Sequence, residues 1–278
     1  MRRDGEQDRA FEKDWDSYSD RIDGRKEAPA WELFRQVRLT HWQELFRIER
    51  GDRVLDAGCG DGDYTVWASE AGARVWAFDL SPRMVESTRQ RLIRNHLEIE
   101  ELTEGSVTSI NHPDNSFDVV LCLSVVAHIP DHLRQRAVNE AARVLRPGGL
   151  LYISTPNLLA YHWRAGIWIM QQLGILPKGT IRFHLPSQLR RLVRAAGLEP
   201  GRSLALEFVP PFSGIYTADL RRFTILPHWM IRPLDRTYLA LEKWARRRSF
   251  LKPFCYHFFL EAQKRLVLAM LAAESASW

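Results

Sequence analysis

The chain has 278 residues, 45% of them hydrophobic and 26% charged. Those fractions are globular and exclude disorder or a fibrous repeat as a description of the whole. Net charge is +5, unevenly spread: residues 201–278 hold twelve Lys/Arg against six Asp/Glu, so the first 200 residues sum to −1. A basic C-terminal third on a near-neutral body suits an acidic partner, such as nucleic acid, an anionic membrane surface or a phosphorylated substrate.

Three widely spaced cysteines, Cys59, Cys122 and Cys255, give neither a disulfide framework nor a metal clip. The first eight residues lack the apolar core of a secretory signal. The most apolar stretch, residues 158–176, is interrupted by His162, Arg164, Gln171 and Gln172. It falls short of the ~20 apolar residues that a spanning helix needs. The expected compartment is the cytoplasm.

Residues 1–49 read as a helical N-terminal lid, with Trp31, Phe34, Val37 and Leu45 on one helix face. From residue 50 onward, short β-branched runs alternate with helical stretches, the pattern of a parallel sheet with crossover helices. The spacing predicts a strand over 53–57, a glycine turn, and a helix over 64–71. A second strand follows over 74–79, with Ser81 capping a helix that begins at Pro82. A weak third strand is expected over 99–102. The fourth, 117–123, is nearly all apolar, as for a strand buried on both faces.

A helix over 131–145 is expected to stop at Pro147-Gly148-Gly149, followed by a fifth strand over 150–154. An amphipathic helix over 186–196 places Leu189, Leu192, Val193 and Ala196 inward and ends at Gly197. The sixth and seventh strands are predicted over 203–209 and 254–262. The expected organisation is a lid (1–49), a core (50–210) carrying an insertion over 158–183, a basic aromatic helical insertion (211–253), and a last strand and tail (254–278).

The turn reads Asp56-Ala57-Gly58-Cys59-Gly60-Asp61-Gly62-Asp63. Glycines admit positive φ and a close ligand approach, and the helix that follows presents N–H groups to an anion. The dinucleotide fingerprint would need glycine where Asp63 stands. Asp56, two residues ahead of the first glycine, suits an ammonium group instead. Asp79, at the end of the second strand, suits ribose hydroxyls. Together they imply a ribonucleoside joined to an amino acid.

At these residues the chain resembles the class I S-adenosylmethionine-dependent methyltransferases. The resemblance covers roughly residues 50–210. It rests on Val54 to Gly62, on Phe78-Asp79-Leu80-Ser81-Pro82-Arg83-Met84, and on Phe117-Asp118-Val119-Val120. It rests also on Ala127-His128-Ile129-Pro130-Asp131 and Val144-Leu145-Arg146-Pro147-Gly148-Gly149. The resemblance implies an α/β, Rossmann-like seven-stranded sheet with helices on both faces, its last strand antiparallel, and helical cap insertions.

It also implies S-adenosyl-L-methionine as cofactor. Asp56, Gly58, Cys59, Gly60 and Gly62 would hold its methionine end and Asp79 its ribose. Leu80 and Met84 would flank the adenine, and Ser106 and Val107 stand where the family usually has an aspartate for the adenine amine. Leu123 and Ser124 would line the floor under the sulfonium. His128 resembles the histidine that phosphoethanolamine methyltransferases pair with an N-terminal tyrosine, here Tyr18. Quinone-pathway O-methyltransferases often carry glutamate just before this histidine; here it is Ala127, so no metal is expected.

Two aromatic insertions frame the acceptor side. One holds Tyr161, Trp163, Ile167, Trp168, Ile169 and Met170. The other holds Trp229, Tyr238, Lys243, Trp244 and Arg246-Arg247-Arg248. Aromatic and cationic residues on helices suit a membrane interface. The expected acceptor is a small molecule or lipid-like compound, with an anionic membrane, at the inner face, as partner. The absence of a ribonucleoprotein signature disfavours nucleic acid. The rival readings are an RNA or protein methyltransferase, and a non-catalytic S-adenosylmethionine-binding regulator.

Overall fold

The computed structural model describes residues 41, 44–172, 182–208, 237 and 239–266. Tyr18, most of the expected lid, and residues 211–236 of the second insertion, with Trp229, lie outside them, as does Tyr238.

Successive residues of a strand face opposite sides of a sheet, and β1 (Arg53–Ala57) uses both. Val54 packs in one buried cluster with Val75, Val119, Leu121 and Tyr152. Leu55 packs in the other, with Val120, Cys122, Leu151 and Ile153. That two-sided burial is why these strands read as mostly apolar runs.

The remaining strands are β2 (Arg74–Asp79), β3 (Glu101–Glu104), β4 (Phe117–Cys122), β5 (Leu145–Pro156), β6 (Leu198–Leu206) and β7 (His257–Lys264). They form one sheet in the order β3-β2-β1-β4-β5-β7-β6. β1 to β5 pair in parallel, and β7 runs antiparallel to both β5 and β6. The expected seven-stranded, Rossmann-like architecture with its antiparallel last strand is therefore present. One consequence positions everything below: the C-terminal ends of β1, β2, β4, β5 and β6 share an edge with the start of β7.

Among the described residues, helices beside the sheet include α1 (Asp63–Glu70), α2 (Pro82–Arg94), α3 (Arg134–Val144), α4 (Tyr161–Gln172) and α5 (Pro186–Ala195). α5 buries Leu189 and Val193 as its periodicity predicts, and Gly197 follows it at φ 77°. Leu45 and Phe46, at the end of the N-terminal segment, are buried on the sheet. The Phe46 ring lies 4.7 Å from that of Tyr152, whose hydroxyl accepts the Arg47 N–H at 2.8 Å.

Several boundaries differ from expectation. β3 begins at Glu101, two residues late. α3 begins at Arg134 rather than 131 and ends at Val144. Leu145 is already extended, at ψ 137°, and Arg146, directly before Pro147, avoids helical geometry, so β5 runs through Pro147-Gly148-Gly149 rather than starting after them. A register shift between Phe117 and Val119 accommodates that run. β6 begins at Leu198 and carries its own shift between Pro200 and Ser203, so the strand was placed five residues too late. Residues 249–254, expected as the end of the helical insertion and the first residue of the last strand, form a 3₁₀ turn, and β7 starts at His257, three residues late. Ser81 occupies the cap position of α2, but its side chain makes no cap bond.

Candidate functional site

The glycine turn joins β1 to α1. Gly58, Gly60 and Gly62 have φ of 85°, 56° and 81°. A Cβ at Gly58 would meet Val125 Cγ2 at 2.6 Å, and one at Gly62 would meet Thr88 Oγ1 at 2.9 Å. A Cβ at Gly60 would meet nothing within 4 Å, so this glycine faces open space at the strand edge.

The turn's amides are largely used within the protein. Gly58 and Cys59 both donate to the Phe78 carbonyl at 2.9 Å, and Gly62 donates to the Cys59 carbonyl. Gly60 N–H donates to Asp79 Oδ2 at 2.9 Å. The expected role of these amides as an anion cradle is thus secondary to tying β1 to β2. Cys59 is buried, its Sγ 3.6 Å from Thr88 Oγ1, and burial pushes its thiol well up, consistent with packing rather than nucleophilicity.

Two buried carboxyls flank the turn. Asp56 accepts the Thr65 hydroxyl at 2.6 Å. Burial, reinforced by the nearby Asp79 and Asp61 charges, pushes its carboxyl up to about 7 against the pull of the Thr65 hydrogen bond. Asp79 accepts backbone N–H groups from Gly60 and Ser81. These fix its orientation at the end of β2. Farther out, Arg91 pairs with Asp61 at 3.3 Å and with Asp63. The inner site is acidic and desolvated, so it favours a ligand that brings positive charge.

The other expected residues lie around this edge. Met84 is buried and Leu80 half-buried after β2. Ser106 bonds locally, its Oγ 2.9 Å from Thr108 Oγ1, and Val107 packs partly against Ile129 and Leu133. Leu123 is buried at the end of β4, and Ser124 follows at φ 65°. His128 is half-buried and closes the 3₁₀ turn Val125–Ala127, its N–H donating to Val125 O at 2.9 Å. Arg182 braces that segment, donating through its backbone N–H to Ala127 O at 3.0 Å and its guanidinium to Ile129 O at 2.8 Å.

The same edge contains polar residues that the motif reading did not single out: Ser154, Thr155 and Asn157 at the end of β5, His184, Glu207 and His257, all buried. The Ser154-Thr155-Pro156-Asn157 run directly after an apolar strand was the available signal. His184 Nδ1 lies 2.7 Å from Thr155 Oγ1. Burial, with help from Arg134 and Arg182, pushes its imidazole down to about 4. Among the described residues, no cluster of three or more His, Cys, Asp or Glu has the arrangement of a metal site.

A family model for methyltransferase domains matches residues 55–153. A ubiquinone biosynthesis O-methyltransferase of Bordetella avium is 31% identical over 178 residues, 63% of this chain and 73% of the relative. The chain belongs to the class I S-adenosylmethionine-dependent methyltransferase family. The relative of the same description from Idiomarina loihiensis is 36% identical over 164 residues, 58% of this chain, and the match spans 65% of that relative's length. A solved S-adenosylmethionine-dependent methyltransferase of Thermotoga maritima superposes at a TM-score of 0.56 with 18% identity, covering 85% of this chain and 91% of its own.

The site residues fit that family's cofactor. Asp79 is held with its carboxylate at the end of β2, the acids around Asp56 favour a ligand carrying an ammonium and a sulfonium, and Gly60 leaves the approach open.

The insertions divide. In α4, Trp163 and Ile167 are buried, whereas Tyr161 and Trp168 are 66% and 61% exposed. Trp163 stacks on Tyr256 at 4.3 Å. Arg246 is paired with Glu44 at 2.9 Å rather than solvated. Among the described residues, no helix is long and apolar enough to cross a membrane.

Proposed function

We propose that this protein moves a methyl group from S-adenosyl-L-methionine to an oxygen or nitrogen atom on a small-molecule or lipid-like acceptor. The observation that carries the reading is the pair of buried carboxyls, Asp56 and Asp79, on either side of the glycine turn at the C-terminal sheet edge. The bound cofactor would supply a methyl on a sulfonium, already an excellent leaving group. The protein's task is then chiefly to align donor and acceptor and exclude water.

Within this reading Asp79 takes the ribose hydroxyls and the Asp56 region draws the ammonium. Leu80, Met84, Ser106 and Val107 surround the adenine, and Leu123 and Ser124 lie beneath the sulfonium. His128 and Tyr18 are assigned to the acceptor, His128 as a base for an acceptor that must lose a proton. The names of the curated relatives favour a hydroxyl acceptor. Alanine at 127 supports chemistry by positioning and proton removal.

The acceptor's expected apolarity is matched by exposed Tyr161, Trp168, Ile169, Trp244 and Phe250, with exposed Arg164, Arg247, Arg248 and Lys252 on the same segments. Tyr161 and Phe254 meet edge to face at 6.0 Å, joining α4 to the 249–254 turn in one patch. We assign this patch to an anionic membrane surface, with the protein cytoplasmic and peripheral at the inner face.

The test is incubation with methyl-labelled cofactor and a cell extract, then separation into lipid, small-molecule, RNA and protein fractions. Label in the lipid or small-molecule fraction is expected; label confined to RNA or protein, or in none, overturns the reading. Flotation on anionic vesicles checks the membrane assignment, which fails if the Trp168→Ser, Phe250→Ser variant floats as well as the unaltered protein.

A further inference from the structure

The ends of β4 and β6 and the start of β7 bring three side chains into line. Ser124 Oγ lies 3.0 Å from His257 Nε2, and His257 Nδ1 lies 3.5 Å from Glu207 Oε2. His257 and Glu207 are almost wholly buried, and Ser124 is half-buried at the open edge. Buried charge of this kind is expensive and persists where it is structured for use.

The backbone supports the same view. Ser124 and Glu207 both adopt positive φ, 65° and 63°, outside glycine. Such conformations are costly and persist only where surroundings hold them. Glu207 is held on both sides of its peptide. Its N–H donates to Glu242 Oε1 at 2.7 Å, and its carbonyl accepts Trp163 Nε1–H and Tyr256 N–H, each at 3.0 Å. Ser124 N–H donates to Ser154 Oγ at 2.9 Å, and the His257 ring stacks on Phe259 at 4.9 Å.

We propose that Ser124, His257 and Glu207 form a proton relay that takes the proton of an acceptor hydroxyl during methyl transfer, with His128 then positioning the acceptor rather than taking that proton. The inference rests on the methyl-transfer reading above. Ser124 is the group that touches the acceptor; His257 and Glu207 act through it. As the acceptor oxygen forms its bond to the methyl carbon, the sulfur–carbon bond breaks and its electron pair stays on sulfur. The acceptor O–H bond breaks with its pair left on oxygen. That proton passes to Ser124 Oγ while the Ser124 proton passes to His257 Nε2. Glu207 then faces an imidazolium and stabilises it, the division of labour that orients and balances a histidine base.

The relay requires one tautomer: the His257 proton on Nδ1, 3.5 Å from Glu207 Oε2, with Nε2 accepting from Ser124. The charged and titratable groups around His257 are Glu207 and Ser124 themselves, Ser154 at 3.4 Å on β5, Tyr256 beside it, and Glu242 and Cys255 behind Glu207.

The experiment has two arms. Nitrogen-15 spectra of the protein at pH 8, with the His257 signals identified by their loss in His257→Gln, are expected to show Nδ1 protonated and Nε2 bare, and Ser124→Ala is expected to shift Nε2. A proton on Nε2 overturns the relay. In the second arm, transfer to an alkyl-catechol is followed against pH. Ser124→Ala and His257→Gln should each lower kcat about 100-fold, the low end for a lost general base, and His257→Gln should leave cofactor affinity within about threefold of the unaltered protein by calorimetry. Glu207→Gln, nearly isosteric and thus least disruptive to folding, should move the acid limb of the kcat profile to lower pH, because the imidazole loses its anionic neighbour. An unchanged pH profile in Glu207→Gln and full kcat in Ser124→Ala overturn the relay. If the unaltered protein transfers no methyl to the alkyl-catechol, that acceptor class fails, and the tautomer alone decides the relay.

Discussion

Replacing Asp56 by asparagine tests the electrostatics of the site most directly. Asp56 is buried at the end of β1 with one strong partner, the Thr65 hydroxyl at 2.6 Å. Its carboxyl is pushed from 3.8 up to about 7, chiefly by burial. Each unit corresponds to ~1.36 kcal/mol, so ionising it in the folded chain costs on the order of 4 kcal/mol more than in the unfolded chain. The folded state therefore binds more protons than the unfolded state between about pH 4 and 7, and this group's contribution to stability falls as pH rises through that window. Asparagine keeps an oxygen for Thr65 and does not titrate. Urea denaturation should show Asp56→Asn gaining about 3 kcal/mol relative to the unaltered protein between pH 4.5 and pH 8. A relative stability that changes by less than about 1 kcal/mol over that range would refute the account. The same substitution should weaken S-adenosylmethionine binding, because the site loses the anion that the ammonium would meet.

Asp79→Ala should abolish calorimetric binding of S-adenosylmethionine, and retained affinity would sink the ribose assignment. Gly62→Ala forces a side chain into φ 81° and against Thr88; a loss of roughly 1–3 kcal/mol in urea denaturation is expected. His184 has a folded-state imidazole held down near 4, below its unfolded value of 6.5, so its contribution is complete above pH 6.5 and is lost as pH falls toward 4. His184→Gln should accordingly flatten the acid side of the stability profile, and an identical profile would show that this histidine does not couple to folding. His128→Ala should lower turnover far more than cofactor affinity; wild-type turnover would make His128 structural.

The fold was legible because its signals are local. A strand buried on both faces is apolar along most of its length, as 117–122 is apart from Asp118, and a turn that takes positive φ three times favours glycine at 58, 60 and 62. Asp56 and Asp79 were readable for the same reason, each fixed by its position at a strand end. Boundaries were less legible where pairing competes with local preference. Pro147-Gly148-Gly149 reads as a break, yet β4 recruits it into β5 through a register shift. β6 begins at Leu198 because β7 offers partners from Lys264 onward.

What the sequence alone determined is the glycine turn with Asp56 and Asp79 on either side of it, because these residues lie within a single strand–turn–helix–strand run. What only the tertiary structure decided is the meeting of Ser124, Glu207 and His257, separated by 83 and 50 positions. Their encounter depends on β7 running backward between β5 and β6, which brings the start of one strand to the ends of the others. No local spacing encodes that antiparallel return, so no motif could announce it.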